Sequence, residues 1–450
     1  MDILALLQCI EPYLTVSTTK QLSRIMQAML VMTGRVTMLG IARWAGKGGS
    51  YRTVQRFYAS VMPWTTLFWV FFREHLWRAG DTYLLAGDEV VVSKAGKQTH
   101  GLDRFFSSLY GKPIAGISFF ALALVSVQER RAYPSSVKQV VRDAAEKAAS
   151  KAKAQSKKNR SSQTQAKAGR PKGSKNKPKA AVVLSAELLR IQAMVMGLLQ
   201  RMAGCLSLTY LVMDGHFGNN PALMMVRSCG LHLISKLRYD SGLYLPYTGE
   251  YAGRGPHRKY GDKLAYHALP AYALKTTALA GIIRTDIYQM HLLHKEFCQL
   301  LNVVIIVKTN QTTAACARVC LFSSDLALTC EQMIDYYSLR FQIEFTFRDA
   351  KQFWGLEDFM NVTATSVNNA ASLSLFMVNV SQLLLRHLRQ TDEPDSSILD
   401  LKAFYRGIRY AEETLKLLPQ TPDPVLLTEI LTIVTRLGRI HPVPTHSIAS

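Results

Sequence analysis

Four side chains within residues 337–351 have types and spacings suited to phosphodiester chemistry: Tyr337, Arg340, Glu344 and Lys351. No Gly or Pro occurs in 330–354, and Glu331 stands near the start, so the stretch predicts one helix. At about 100° per residue from Tyr337, Arg340 falls at about 300°, Glu344 at about 340° and Lys351 at about 320°. A phenol, a guanidinium, a carboxylate and an ammonium then share a stripe roughly 60° wide. Leu339, Ile343, Phe347 and Ala350 lie on the other side and read as core-facing. A carboxylate flanked by cations suits a phosphodiester centre, the acid serving a metal ion and the bases the phosphate. The same spacing also describes a plain salt-bridged helix face, because Arg340 and Glu344 are an i,i+4 pair.

The pattern Tyr-x2-Arg-x3-Glu-x6-Lys resembles the signature of the DDE transposases of bacterial insertion sequences, in the group named for these four letters. All four positions match. The resemblance implies two upstream aspartates, each closing an apolar strand. Asp88 follows the apolar run 83–86, and Asp214 follows the run 206–213. With Glu344 they complete an Asp, Asp, Glu set. Side chains at strand ends project from a sheet rim, where open α/β folds bind ligands. Three converging carboxylates repel one another unless divalent cations sit between them. Oxygen-only ligands select hard cations, so two Mg²⁺ ions are expected, with Mn²⁺ as a substitute. Such a pair activates the attacking oxygen and stabilises the leaving one. Each aspartate alone suits a turn or a helix cap equally well. Glu89 points away from Asp88 if both lie in a strand, so Asp88 is the ligand chosen. His216 reads as a loop residue, within reach of DNA or of the metal's outer surroundings. Gly87, Gly215 and Gly218 suit tight turns or close backbone approach.

The rest of the chain must position these groups. Its 450 residues are too many for one core, and 48% hydrophobic content supports a globular protein. A net charge of +22 calls for a polyanionic partner, most simply nucleic acid, with an anionic membrane surface as the competing reading. The seven cysteines include no Cys-x-x-Cys, so they read as reduced thiols of a reducing cytosol. The N-terminus lacks the features of a signal peptide. The aromatic-rich run 67–72 is far short of the roughly 20 residues that a membrane span needs.

Residues 1–78 read as a helical N-terminal DNA-binding region. Two short helices flank Gly46-Lys47-Gly48-Gly49 in a helix-turn-helix cadence, with Arg52 and Arg56 on one face of the second. A plain helical hairpin fits the same pattern. Residues 79–238 alternate strand and helix, with strands at 82–93, 114–127, 206–213 and 231–236, a hairpin partner near Arg131, and helices at 181–202 and 220–226. That order predicts an α/β fold. Residues 239–324 read as a mostly β insertion, with strands at 279–287, 303–307 and 318–322. The signature helix closes the core over 325–362. Helices at 364–389, 397–418 and 425–437 fill a C-terminal region, 363–450.

Inside the core, the insert 147–180 differs in kind. Twelve basic residues and no acid stand in 147–179, over half of the net charge. Such a stretch cannot bury enough apolar surface to order itself, which predicts disorder when free. Its Gly169-Arg170-Pro171 core, with Lys172 and Lys175, resembles an AT-hook lying in the minor groove. A solvated basic linker is the alternative.

The resemblance implies a ribonuclease-H-like, retroviral-integrase-like catalytic core and cut-and-paste transposition. Water would cut at each transposon end, and the freed 3′-hydroxyl would attack target DNA, with a hairpin on the element's own end as one route. Tyr337, Arg340 and Lys351 would hold phosphates beside the scissile bond. The partners implied are double-stranded DNA, as terminal inverted repeats and target, and a second copy of the chain on that DNA. The setting implied is a bacterial cytoplasm, at the nucleoid, with no membrane. Two other classes remain: a metal-dependent nuclease that does not join, and a transposase-derived DNA-binding protein.

Deleting 147–179 should weaken binding to all duplexes alike and leave catalysis on bound ends intact. If roughly half of the cations meet phosphates, the slope of log affinity against log salt should flatten by about 5. Binding of intact and deleted protein across a salt series measures this, and an unchanged slope would make the segment a spacer.

Overall fold

The computed structural model describes residues 2–107, 110–144, 146–148, 182–251, 253, 255–391, 395–420 and 422–441. Nearly all of the basic insert, including Arg170, Lys172 and Lys175, lies outside them. Five helices come first: α1 (Ile3–Leu6), α2 (Val16–Val31), α3 (Met38–Trp44), α4 (Tyr51–Ala59) and α5 (Trp64–Phe71). Thr15, Thr37 and Ser50 start α2, α3 and α4, each side chain accepting a backbone N–H three residues on.

Next come β1 (Tyr83–Ser93), β2 (Asp103–Ser107), β3 (Lys112–Ser126) and β4 (Arg131–Val140). Helix α6 (Ala186–Met202), β5 (Tyr210–Met213), α7 (Asn220–Ser228) and β6 (His232–Leu237) follow. The sheet runs β3–β1–β5–β6, with β2 and β4 both on the far edge of β3. Strands β1 and β3 are antiparallel, whereas β1, β5 and β6 are parallel. Strand β3 is buried without a break from Gly116 to Ser126, as a central strand covered on both faces must be. This is the α/β, ribonuclease-H-like arrangement expected.

The insertion adds β7 (Leu243–Pro246), β8 (Tyr260–Lys263), β9 (Leu274–Ala280), β10 (Ile283–His294), β11 (Leu301–Asn310) and β12 (Cys316–Ser323). It does not form a separate sheet. Strand β12 pairs with β6, so one sheet continues β6–β12–β11–β10–β7–β8, and β9 shares the outer edge of β10. The expected strand over 279–287 is in fact two strands, β9 and β10. Gly281 turns the chain between them at φ +56°, and the flanking apolar residues hide that reversal in the sequence. Strands β2, β7 and β8 are short and carry no clear alternation, and they were not expected.

The expected single helix over 330–354 is also two: α8 (Cys330–Leu339) and α9 (Gln342–Trp354). Arg340 and Phe341 keep helical dihedrals but form three-residue hydrogen bonds, Arg340 N–H to Tyr337 and Phe341 N–H to Ser338, which tighten the path. Leu339, Ile343, Phe347 and Ala350 are buried, as their spacing requires. Helices α10 (Ala364–Thr391), α11 (Ile398–Leu415) and α12 (Pro424–Arg436) complete the chain. Among the described residues, no helix is long and apolar enough to cross a membrane, and all seven cysteines are free.

Three contacts join the helical ends to the core and to each other. Gly355 ends α9 in the left-handed region at φ +80°, where a Cβ would meet that of Val36 at 2.5 Å. The buried Lys402 of α11 donates to the Met29 carbonyl of α2 at 2.5 Å, and its ammonium stands 4.8 Å from the ring centre of Trp354. Burial lowers its pKa to about 7. Asn369 of α10, also buried, accepts from the Trp64 indole at 2.7 Å and donates to the carbonyls of Tyr58 and Ser60 at 2.8 and 2.6 Å.

Asn369→Leu should therefore lower stability by about 3 kcal/mol, because it leaves three buried polar groups unpaired at once. Urea unfolding measures the loss. A change under about 1 kcal/mol would show that water replaces the amide.

Candidate active site

Strand register brings the two aspartates together. In the parallel pair, Gly87 of β1 stands beside Met213 of β5. Asp88 and Asp214 are the next residues on each strand, so they leave the pair at the same level. One expectation needs correcting. Asp88 does not end its strand but sits mid-strand, opposite Ala121 of β3. Only the pairing with β5 stops there, so the rim that exposes Asp88 is made by its neighbour's end.

Helix α9 supplies the third acid through Arg340. The guanidinium is 7% exposed. Its Nη1 donates to Asp88 Oδ2 at 3.1 Å, and its Nη2 donates to Glu344 Oε1 at 3.0 Å. The i,i+4 ion pair of a plain helix face is therefore present, but it is tied to a strand 252 positions away. Asp88 Oδ1 also accepts the Glu89 N–H at 2.8 Å. Burial pushes the Asp88 carboxyl up to about 6; the Arg340 charge and the Glu89 N–H oppose the rise, whereas Asp214 and Glu344 add to it. Arg340 Nε is buried and without a partner.

Asp88, not Glu89, faces the helix. Glu89 turns to the other side and accepts from the Ser118 hydroxyl. Tyr337 is half-buried beside Arg340, its ring centre 5.9 Å from the guanidinium, and burial raises its pKa. Lys351 does not join the acids. It reaches along β1 to the Val91 carbonyl at 3.0 Å and pairs with Glu357 at 2.9 Å. Arg52 and Arg56 stand exposed on α4, outside this centre, while Val54 and Phe57 anchor that helix.

Asp214 caps the short turn after β5, its Oδ1 accepting the His216 N–H at 3.1 Å. A side chain at Gly218 would run into the Lys236 carbonyl of β6, so this glycine is required for close approach. His216 pairs with Glu187 of α6 at 3.5 Å, and that partner raises the imidazole pKa. Glu187 is missing from the sequence reading. It lies in the first turn of an ordinary amphipathic helix, and no local pattern marks it.

Among the described residues, no group of three or more His, Cys, Asp or Glu side chains stands close enough to hold a metal ion. The donor chemistry nonetheless fits a hard cation. It is carboxylate oxygen throughout, the donor type that hard cations take, and Arg340 at present pairs with two of the three acids.

The model of a protein family described as DDE superfamily endonuclease matches residues 9–290. That stretch contains Asp88 and Asp214, whereas Glu344 and the rest of the four-letter signature lie beyond it. No curated protein matches the chain. The chain belongs to the DDE superfamily endonuclease family.

Arg340→Met should cost about 3 kcal/mol, because it leaves the Asp88 carboxylate poorly hydrated and unpaired. Adding Asp88→Asn should restore most of that loss. A double-mutant cycle by urea unfolding tests the coupling, and simple additivity would show that the guanidinium does not act on Asp88.

Proposed function

We propose that this DDE superfamily endonuclease is a transposase. It would cut DNA at the ends of a mobile element and join the freed ends to target DNA. The observation that carries the proposal is the strand register that sets Asp88 beside Asp214 at one rim, with Arg340 tying Glu344 to Asp88. The four-letter resemblance of Tyr337, Arg340, Glu344 and Lys351 supports transposition over simple cleavage, and it supports a homodimer working on two terminal inverted repeats. In this reading Asp88, Asp214 and Glu344 hold two divalent ions, Mg²⁺ or Mn²⁺. When bound, these supply Lewis-acid stabilisation of the attacking and leaving oxygens.

The chain's own groups do the positioning. Arg340 pairs with Asp88 and Glu344 and ties the helix to the strand. Tyr337 offers a phenol next to the acids, where it can donate to a phosphate oxygen. Lys351 marks the path along β1, its ammonium placed to meet backbone phosphate if Glu357 yields. The His216–Glu187 pair, beside Asp214, sets an imidazole at the opposite flank.

Glu344→Gln keeps the shape of the side chain and removes its charge. It should abolish both Mg²⁺-dependent nicking and strand transfer while leaving DNA binding intact. Near wild-type cutting by the variant would reduce Glu344 to a salt-bridge partner of Arg340. A pre-cut end supplied to the wild-type protein separates the classes, because a nuclease without joining activity leaves it unjoined.

A further inference from the structure

The insertion carries a cleft that the reaction chemistry does not use. It is lined by Tyr244, Pro256, His257, Arg258, Lys259, Tyr260, Gly261 and Lys295, with three cations and no carboxylate. Aromatic rings hold two of these cations in place. The Arg258 guanidinium lies 4.8 Å from the ring centre of Tyr247, and the Lys295 ammonium lies 4.7 Å from that of Tyr244. Arg258 Nε also donates to the Tyr260 carbonyl at 2.9 Å. Tyr251 stacks on His257 with ring centres 4.0 Å apart and is 49% exposed. Cations fixed over rings keep their charge available to an anion, and exposed rings offer flat surface to sugar or base.

Register brings the loop end of this cleft, though not its Tyr244 end, toward the level of the acids. Val212 of β5 pairs with Ile234 of β6, so Asp214 is level with Lys236. Lys236 pairs with Leu321, Leu321 with Val304, and Val304 with Gln289. Tyr244 of β7 pairs with Leu293 in antiparallel sense, which carries the chain leaving β7 to the Gln289 level at Tyr247 and Thr248. The acids and the loop that leaves β7 thus lie toward one end of a continuous sheet, five strand steps apart, whereas Tyr244 pairs four residues short of the Gln289 level.

We infer that the edge formed by β7, β8 and residues 255–259 is a second DNA-backbone site. It grips the duplex away from the phosphodiester held at Asp88 and Asp214. This rests on the proposed action on DNA. Arg258, Lys259 and Lys295 bind phosphate oxygens, and Tyr247 and Tyr251 cover the sugar edge.

The test is binding of a random-sequence duplex of about 20 base pairs in EDTA, so that catalysis plays no part. The variant replaces Arg258, Lys259 and Lys295 by Gln together. Losing three phosphate contacts should flatten the slope of log affinity against log salt by nearly 3, at about 0.9 each. If the wild-type protein does not bind the duplex, the proposed function fails. If it binds and the variant keeps the full slope, the second site fails. Lysine acetylation of the wild-type protein guards against misfolding of the variant. The duplex should protect Lys259 and Lys295, and equal labelling with and without it would overturn the inference. Protection by poly-glutamate as strong as by DNA would overturn it too, because the cleft would then be a general anion patch.

Discussion

A carboxylate on a strand and another on a helix can face each other only across a cation, and in this chain Arg340 is that cation, paired with Asp88 and Glu344. The β1–β5 register leaves no freedom over where Asp88 and Asp214 emerge. Helix α9 could approach that rim at several angles if packing alone decided. The guanidinium selects one of them, because it must reach Asp88 and Glu344 at once. The tightened turn at 340–341 lies where the side chain has to leave the helix for the strand. A buried guanidinium with two carboxylates is costly to assemble and costlier to break, so it specifies geometry more than it adds stability.

The helical ends serve the same purpose from the other side. Val36 closes on Gly355 where α9 stops, and Lys402 caps the Met29 carbonyl while standing over Trp354. The last turn of α9 is therefore held by residues from both termini. One continuous buried cluster runs from Ile3 to Leu401.

Continuity of the sheet extends the centre sideways. Because β12 pairs with β6, the insertion's strands share the core's register. Had the insertion formed its own sheet, its basic and aromatic edge would have no fixed relation to the acids. Hydrogen-bond registers are discrete, so a distance measured in strands is kept across the molecule.

Much of the centre was legible in the sequence, for local reasons. Periodicity identified the buried face of the signature helix, and apolar runs located β1, β3, β5 and β6. Side-chain alternation separated Asp88 from Glu89. Residue type at four spacings named Tyr337, Arg340, Glu344 and Lys351, and charge density marked the insert. Each of these properties depends on neighbours within a few residues. Other features depended on partners far along the chain, and only the tertiary structure decided them. Asp88 is a rim residue because β5 ends beside it. Arg340 answers the chain's own acids because β1 lies within its reach, whereas Lys351 turns to Val91 and Glu357. Glu187 joins His216 only through the packing of α6. The hairpin at Gly281 and the union of β6 with β12 are choices of strand pairing, made by a global competition for hydrogen-bond partners. The sequence determined which groups were available; long-range pairing decided which of them meet.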